Sequence, residues 1–152
     1  MIKIDIVSDT VCPWCYIGKK RLDKALESYK DIDFNINWHA FQLNPTMPKE
    51  GINREYYLSS KFGGKDRAVS IYEQIKIAGL SSGISFNFDK ISIMPNSFYS
   101  HMLIEYSKVE NLQNKISEAL FDAFFIQGKN IGEPIVLNKI AESCNIKNLS
   151  KN

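Results

Sequence analysis

Cys12-Pro13-Trp14-Cys15 is the spacing in this chain that can do chemistry. Two thiols separated by two residues can close into a disulfide and reopen with little backbone movement. A thiol attacks another sulfur only as its thiolate, and a free cysteine has a pKa of about 8.5. An alternating apolar stretch, Ile2, Ile4 and Ile6, precedes the pair, and a segment that reads as helix, 13–29, follows it. Cys12 is therefore expected at the mouth of a helix, where unpaired N–H groups and the helix dipole favour negative charge. The expectation is a lowered pKa at Cys12, which attacks, while Cys15, one turn inward, resolves the mixed disulfide. Pro13 removes one N–H donor and Trp14 adds an aromatic surface without positive charge, so both tune the pair.

The competing reading of a CxxC is half of a zinc site, which needs about four ligands. The remaining candidates are Cys144, His39 and His101, with no second CxxC and no HxxxH pair. A strand-to-helix junction favours the redox reading, of the thioredoxin type. Cys144 lies on an apolar helical stripe and reads as a small buried hydrophobe. His39 alternates with apolar neighbours on a strand, which suits a satisfied structural histidine. By its position one residue before Met102, His101 reads as a partly exposed helix residue.

The elements around the pair follow from periodicity. Residues 2–7 form a short strand, and 13–29 form a helix with Leu22, Ala25, Leu26 and Tyr29 on one face. Pro13 suits the first helical position. The run Phe34 to Phe41 alternates Phe34, Ile36, Trp38 and Ala40 against polar residues, a second strand that should pair parallel with the first. From about 52 to 146 the chain is helical in character, apart from an extended stretch at Ser85-Phe86-Asn87-Phe88. Three apolar faces stand out there: Ala68, Ile71, Ile75 and Ala78; Phe98, Met102, Tyr106 and Val109; and Leu112, Ile116, Leu120 and Phe124, thickened by Phe121 and Phe125. A last helix opens near Pro134. Gly63-Gly64, Gly79 to Gly83 and Gly128 to Gly132 punctuate these segments.

At 152 residues the chain suits one domain, or one domain with a modest insertion. With 19 basic and 17 acidic residues its charge is nearly balanced, and no basic cluster marks a nucleic-acid surface. Neither a secretory signal nor a membrane span is visible, so the expected location is the cytoplasm. In that reducing compartment three cysteines argue for a redox pair rather than a structural staple.

Asp9-Thr10-Val11-Cys12-Pro13-Trp14-Cys15-Tyr16-Ile17-Gly18 resembles the start of FrnE-like proteins in the DsbA family. So do Phe41-Gln42-Leu43-Asn44-Pro45, Gly51, Lys61-Phe62-Gly63, Gly83-Ile84-Ser85-Phe86, Asn96, His101 and Ala123-Phe124-Phe125. The resemblance covers essentially the whole chain. It implies an α/β fold, a thioredoxin-like βαβ unit with an inserted helical domain, divided as 1–44, 45–146 and a tail at 147–152. It implies a disulfide oxidoreductase working through Cys12 and Cys15, with Asn96 and His101 near the substrate cleft. No metal and no bound organic cofactor are expected. Expected partners are disulfide-containing proteins or small thiols, among them glutathione or thioredoxin.

The same superfamily holds 2-hydroxychromene-2-carboxylate isomerases and kappa-class glutathione transferases, which typically carry serine where this chain has Cys12. A glutathione-dependent isomerase or transferase is the first alternative, and a non-catalytic binding module the second. Family members continue into two further strands, the first opening with a proline. None of the five prolines here (13, 45, 48, 95, 134) has that setting. The expectation is that the C-terminal strands are missing from this sequence, which leaves three readings: a fragment of a longer chain, a second polypeptide or swapped partner that completes the sheet, or a helical bundle that carries the stability alone.

Overall fold

The computed structural model describes residues 1–147. Most of the tail expected at 147–152 lies outside them. Strand β1 (Ile2–Ser8), helix α1 (Pro13–Glu27) and strand β2 (Phe34–Ala40) form the expected unit. The strands pair in parallel from Ile2 opposite Phe34 to Ser8 opposite Ala40. β1 thus delivers its C-terminal end directly to the loop that carries the cysteines. The helix ends two residues earlier than its apolar period suggests, so Tyr29 lies beyond it and is exposed. Its buried residues are Tyr16, Ile17 and Lys19, while Leu22 and Leu26 are half-buried and Ala25 is exposed.

Beyond β2 come β3 (Ile52–Asn53), α2 (Arg54–Phe62), α3 (Lys65–Ser81), a 3-10 turn at Phe88–Lys90, β4 (Ile93–Met94) and α4 (Phe98–Tyr106). A second 3-10 turn at Ser107–Glu110 leads into α5 (Gln113–Phe125), and α6 (Pro134–Ser143) follows. β3 and β4 pair antiparallel over two residues each, a sheet too short to leave a readable alternation. Gly51 makes this pairing possible. Its φ is +77°, and a side chain there would meet the Met94 carbonyl oxygen at 2.6 Å.

The extended stretch expected at 85–88 is non-helical as far as Asn87 and joins no strand among the described residues. Its backbone bonds instead to the end of α5, with Asn87 N–H donating to the Phe125 carbonyl at 2.9 Å. The glycine at 79 does not end its helix either, since α3 continues to Ser81. A Cβ at Gly79 would meet the Phe86 ring at 2.5 Å, so the glycine serves packing rather than termination.

α5 is the centre of the core. Ile116, Leu120, Phe121, Phe124 and Phe125 are buried, as their spacing predicts. Tyr16 of α1 stacks on Phe121 with centroids 5.0 Å apart, and Phe86 meets Phe125 edge-on at 5.4 Å. Each fully buried aromatic contributes about 2–3 kcal/mol, so this cluster fastens α1, and the cysteines at its mouth, to the helical segment. Gln113 adds a polar clasp. Its side chain accepts from Trp38 N–H at 3.0 Å and donates to the Trp38 and Ile104 carbonyls at 3.4 and 3.2 Å. One amide thus stands in for a neighbouring strand along part of β2.

The face assigned to α4 is the wrong one. Phe98, Met102, Tyr106 and Val109 are exposed, and the helix buries Ser100, His101, Leu103 and Ile104. Two of those four are polar. They can be buried because each finds a partner, described below.

Candidate functional site

β1 ends at Ser8 and the chain turns through Asp9, Thr10 and Val11 to reach Cys12, the residue capping α1. Cys12 has an extended backbone (φ −97°, ψ 114°), and Pro13 occupies the first turn. The Cys12 N–H bonds back to the Asp9 carbonyl at 3.2 Å, and the Cys12 carbonyl accepts from Cys15 N–H at 3.1 Å. Cys12 and Cys15 are half-buried, and Cys144, at the C-terminal cap of α6, is buried as expected.

The two sulfurs of the motif share a proton. The Cys12 thiol donates to the Cys15 sulfur, which pulls the Cys15 pKa down to about 6 and pushes that of Cys12 up. The lowered pKa belongs to the coupled pair and not to one sulfur. The physical reason is the S–H···S⁻ bond, which dominates both groups and was not part of the helix-dipole argument. The helix terminus still acts, because the N–H groups of Trp14 and Cys15 favour charge on Cys12. Cys15 gains further from the Asp9 backbone and the Ser8 side chain. One negative charge is thus held between two sulfurs, and the first proton leaves the pair well below the ordinary thiol range.

Behind the pair lies a residue the periodicity does not single out. Asp9 is only 2% exposed, and its carboxylate accepts from Leu43 N–H at 2.9 Å and from the His101 ring at 3.0 Å. Burial by itself would raise its pKa, but bonds from His101, Leu43 and Ser97 outweigh it, and the carboxyl stays below its usual value. His101, expected to be partly exposed, is 7% exposed because this buried carboxylate receives it. Beside them the Thr10 and Ser100 hydroxyls are 2.7 Å apart. The only sequence signal for Asp9 is its place in the run Asp9-Thr10-Val11-Cys12.

In front of Cys12 opens a cleft of about 680 Å³, lined by Cys12, Pro13 and Trp14 on one side and by residues of α2, α3 and the 43–47 loop on the other. Cys12 reaches it and Cys15 does not line it. Trp14 is 52% exposed at its edge. Asn96 and His101, expected near the cleft, do not line it. Asn96 Nδ2 donates to the Met47 carbonyl at 2.6 Å and its Oδ1 accepts from Phe98 N–H at 2.8 Å, so it pins the cleft-side loop to the start of α4. His39 pairs with Asp5 at 2.8 Å on the surface, away from the cysteines.

Among the described residues no group of three or more His, Cys, Asp or Glu is arranged to hold a metal ion. No helix among them is long and apolar enough to cross a membrane.

The DsbA-like thioredoxin domain family matches residues 3–150. YwbO, an uncharacterized protein of Bacillus subtilis, is 26% identical over 149 residues, covering 98% of this chain and 69% of that protein. The structure of probable DsbA oxidoreductase SCO1869 from Streptomyces coelicolor superposes with a TM-score of 0.85 at 21% identity, over 96% of this chain and 64% of that one. The cytosolic disulfide reductase DsbM from Pseudomonas aeruginosa, solved with GSH, gives 0.66 at 16% identity, over 95% and 65%. The chain thus spans less than two thirds of the length of either solved structure. With the CxxC at the strand-to-helix junction and a match across nearly its whole length, this chain belongs to the DsbA-like thioredoxin domain family.

Proposed function

We propose that the chain is a thiol–disulfide oxidoreductase of the DsbA/FrnE type, working through Cys12 and Cys15. The observation that carries this reading is the placement of Cys12 at the mouth of α1, lining an open cleft, with Cys15 one turn inward. Passing the Cys12 proton to Cys15 leaves the charge on the sulfur that lines the cleft, where the Trp14 and Cys15 N–H groups support it. That thiolate attacks one sulfur of a substrate disulfide, and the other departs as a thiolate. Cys15 then attacks Cys12, closing the 12–15 disulfide and releasing the second substrate thiolate. The reverse sequence delivers a disulfide to a dithiol.

Pro13 and Trp14 set the balance between the two forms. Asn96 and His101 act as positioning residues, through Met47 and Asp9 respectively, rather than by touching substrate. A cytoplasmic location is part of the proposal, supported by likeness to the cytosolic disulfide reductase DsbM. β1 pairs with β2 alone among the described residues, and its outer edge suits an added strand from further polypeptide or a partner chain. Reduction of a protein disulfide, insulin for example, tests the proposal. The wild type should act, and Cys12→Ser should lose at least about a hundredfold, as expected for removing a nucleophile. Equal rates would end it.

A further inference from the structure

The walls of the cleft in front of Cys12 are mostly apolar, with Trp14, Leu43, Met47, Ile71, Ile75 and Met94 outweighing the polar Asn44, Ser60 and Ser97. Asp9 and Lys61 are the charged residues among its lining, so among the described residues one exposed ammonium is the only cation on its walls. The Asp9 carboxylate is bonded to Leu43 and His101. Lys61 Nζ bonds the Tyr57 hydroxyl at 2.9 Å and lies 5.4 Å from the centre of the Phe62 ring. A polar tripeptide such as glutathione brings two carboxylates and an ammonium group, and desolvating them against such walls is costly. The volume, about 680 Å³, is that of a small-molecule site rather than of a polypeptide groove.

Resting on the oxidoreductase reading, we infer that the cleft takes a low-molecular-weight disulfide bearing an apolar group on the sulfur that Cys12 captures. Cys12 attacks that sulfur of R–S–S–R′, forming the Cys12–S–R mixed disulfide, and R′–S⁻ leaves and takes a proton from water. Cys15 attacks the Cys12 sulfur, R–S⁻ leaves and is protonated, and the 12–15 disulfide remains. Two electrons pass from the protein dithiol to the substrate, and an external dithiol returns them.

The test mixes the reduced chain with bis(2-phenylethyl) disulfide, bis(2-hydroxyethyl) disulfide and oxidised glutathione. Each rate is divided by that of free dithiothreitol with the same disulfide, which cancels the leaving group's own acidity. The phenylethyl compound should lead oxidised glutathione by at least about tenfold on that scale. Ile71→Asn should shrink the ratio of phenylethyl to hydroxyethyl rates. Independently of turnover and of that variant's folding, methyl 2-phenylethyl sulfide should change the fluorescence of Trp14 in the wild type, and S-methylglutathione should not. Equal rates, or a lead for oxidised glutathione, would overturn the substrate class while leaving the oxidoreductase reading intact. If none of the three outpaces dithiothreitol while insulin is still reduced, the substrate class alone fails; if insulin is not reduced either, the oxidoreductase reading fails with it.

Discussion

His101 Nε2 lies 3.0 Å from Asp9 Oδ1, a buried bond that ties α4 to the loop carrying Cys12. Asp9 also holds Leu43 N–H through its carboxylate and Cys12 N–H through its backbone carbonyl, so three walls of the site meet at one residue. Removing the carboxylate leaves both the ring and the Leu43 N–H without their partner. Asp9→Ala should cost about 2–4 kcal/mol in urea unfolding, whereas Asp9→Asn, which can still accept from Leu43, should cost about 1–2 kcal/mol. An alanine variant within about 0.5 kcal/mol of wild type would contradict the role given to Asp9.

The proton shared by the two sulfurs sets a pH signature. Alkylation of the reduced pair by iodoacetamide should show an inflection near pH 6, where Cys15 is held by the bond from Cys12. Cys15→Ala removes that bond, and the motif's first inflection, now that of Cys12 alone, should move from near 6 to the ordinary range of about 8.5. An unchanged inflection would mean that the helix terminus alone sets the charge.

Folding stability carries the same signature with a definite sign. The lowered Cys15 pKa makes the folded dithiol release its first proton earlier than the unfolded chain does. This contribution is fully present above about pH 8.5 and is lost as pH falls through about 6. The raised Cys12 pKa acts oppositely above that range, since the unfolded chain ionises there first. The stability of the reduced wild type, relative to a variant with both Cys12→Ser and Cys15→Ser, should therefore climb from pH 6, peak near about pH 8.5 and fall beyond. Guanidinium unfolding at a series of pH values measures it, and a flat difference would refute the shared proton.

Two glycines separate packing from propensity. Gly79 abuts the Phe86 ring, so Gly79→Ala should destabilise by about 1–3 kcal/mol despite the better helix propensity of alanine. Gly18, inside α1, has nothing within 4 Å of a would-be Cβ, and Gly18→Ala should stabilise by about 0.5–1 kcal/mol. Thermal melts of both variants give the comparison. Stabilisation by Gly79→Ala as well as by Gly18→Ala would show that the Phe86 contact does not govern position 79.

What the sequence made legible here is what local period can carry. β1, α1 and β2 repeat every two or every three to four residues, and the α5 stripe is apolar because it is the centre of the core. α4 misled because its apolar stripe, Phe98 to Val109, faces outward. Its inner face holds Ser100 and His101, whose partners Thr10 and Asp9 lie about ninety residues away in the chain. No local pattern contains such a pairing. The same holds for Lys19. It is buried because Asp23, one turn on, and Glu118 of α5 meet it at 2.7 and 2.9 Å, and only the first of these is visible in the spacing. The proton shared within the CxxC was likewise hidden, since it depends on where two side chains point and not on where the helix begins.

The most direct measurement equilibrates the chain in dithiothreitol buffers of graded potential, then traps free thiols and maps them by mass spectrometry. The account predicts one two-electron transition in which a disulfide joins Cys12 to Cys15 while Cys144 stays a free thiol. Cys12 and Cys15 remaining alkylatable at every potential, or a bridge to Cys144 instead, would contradict it.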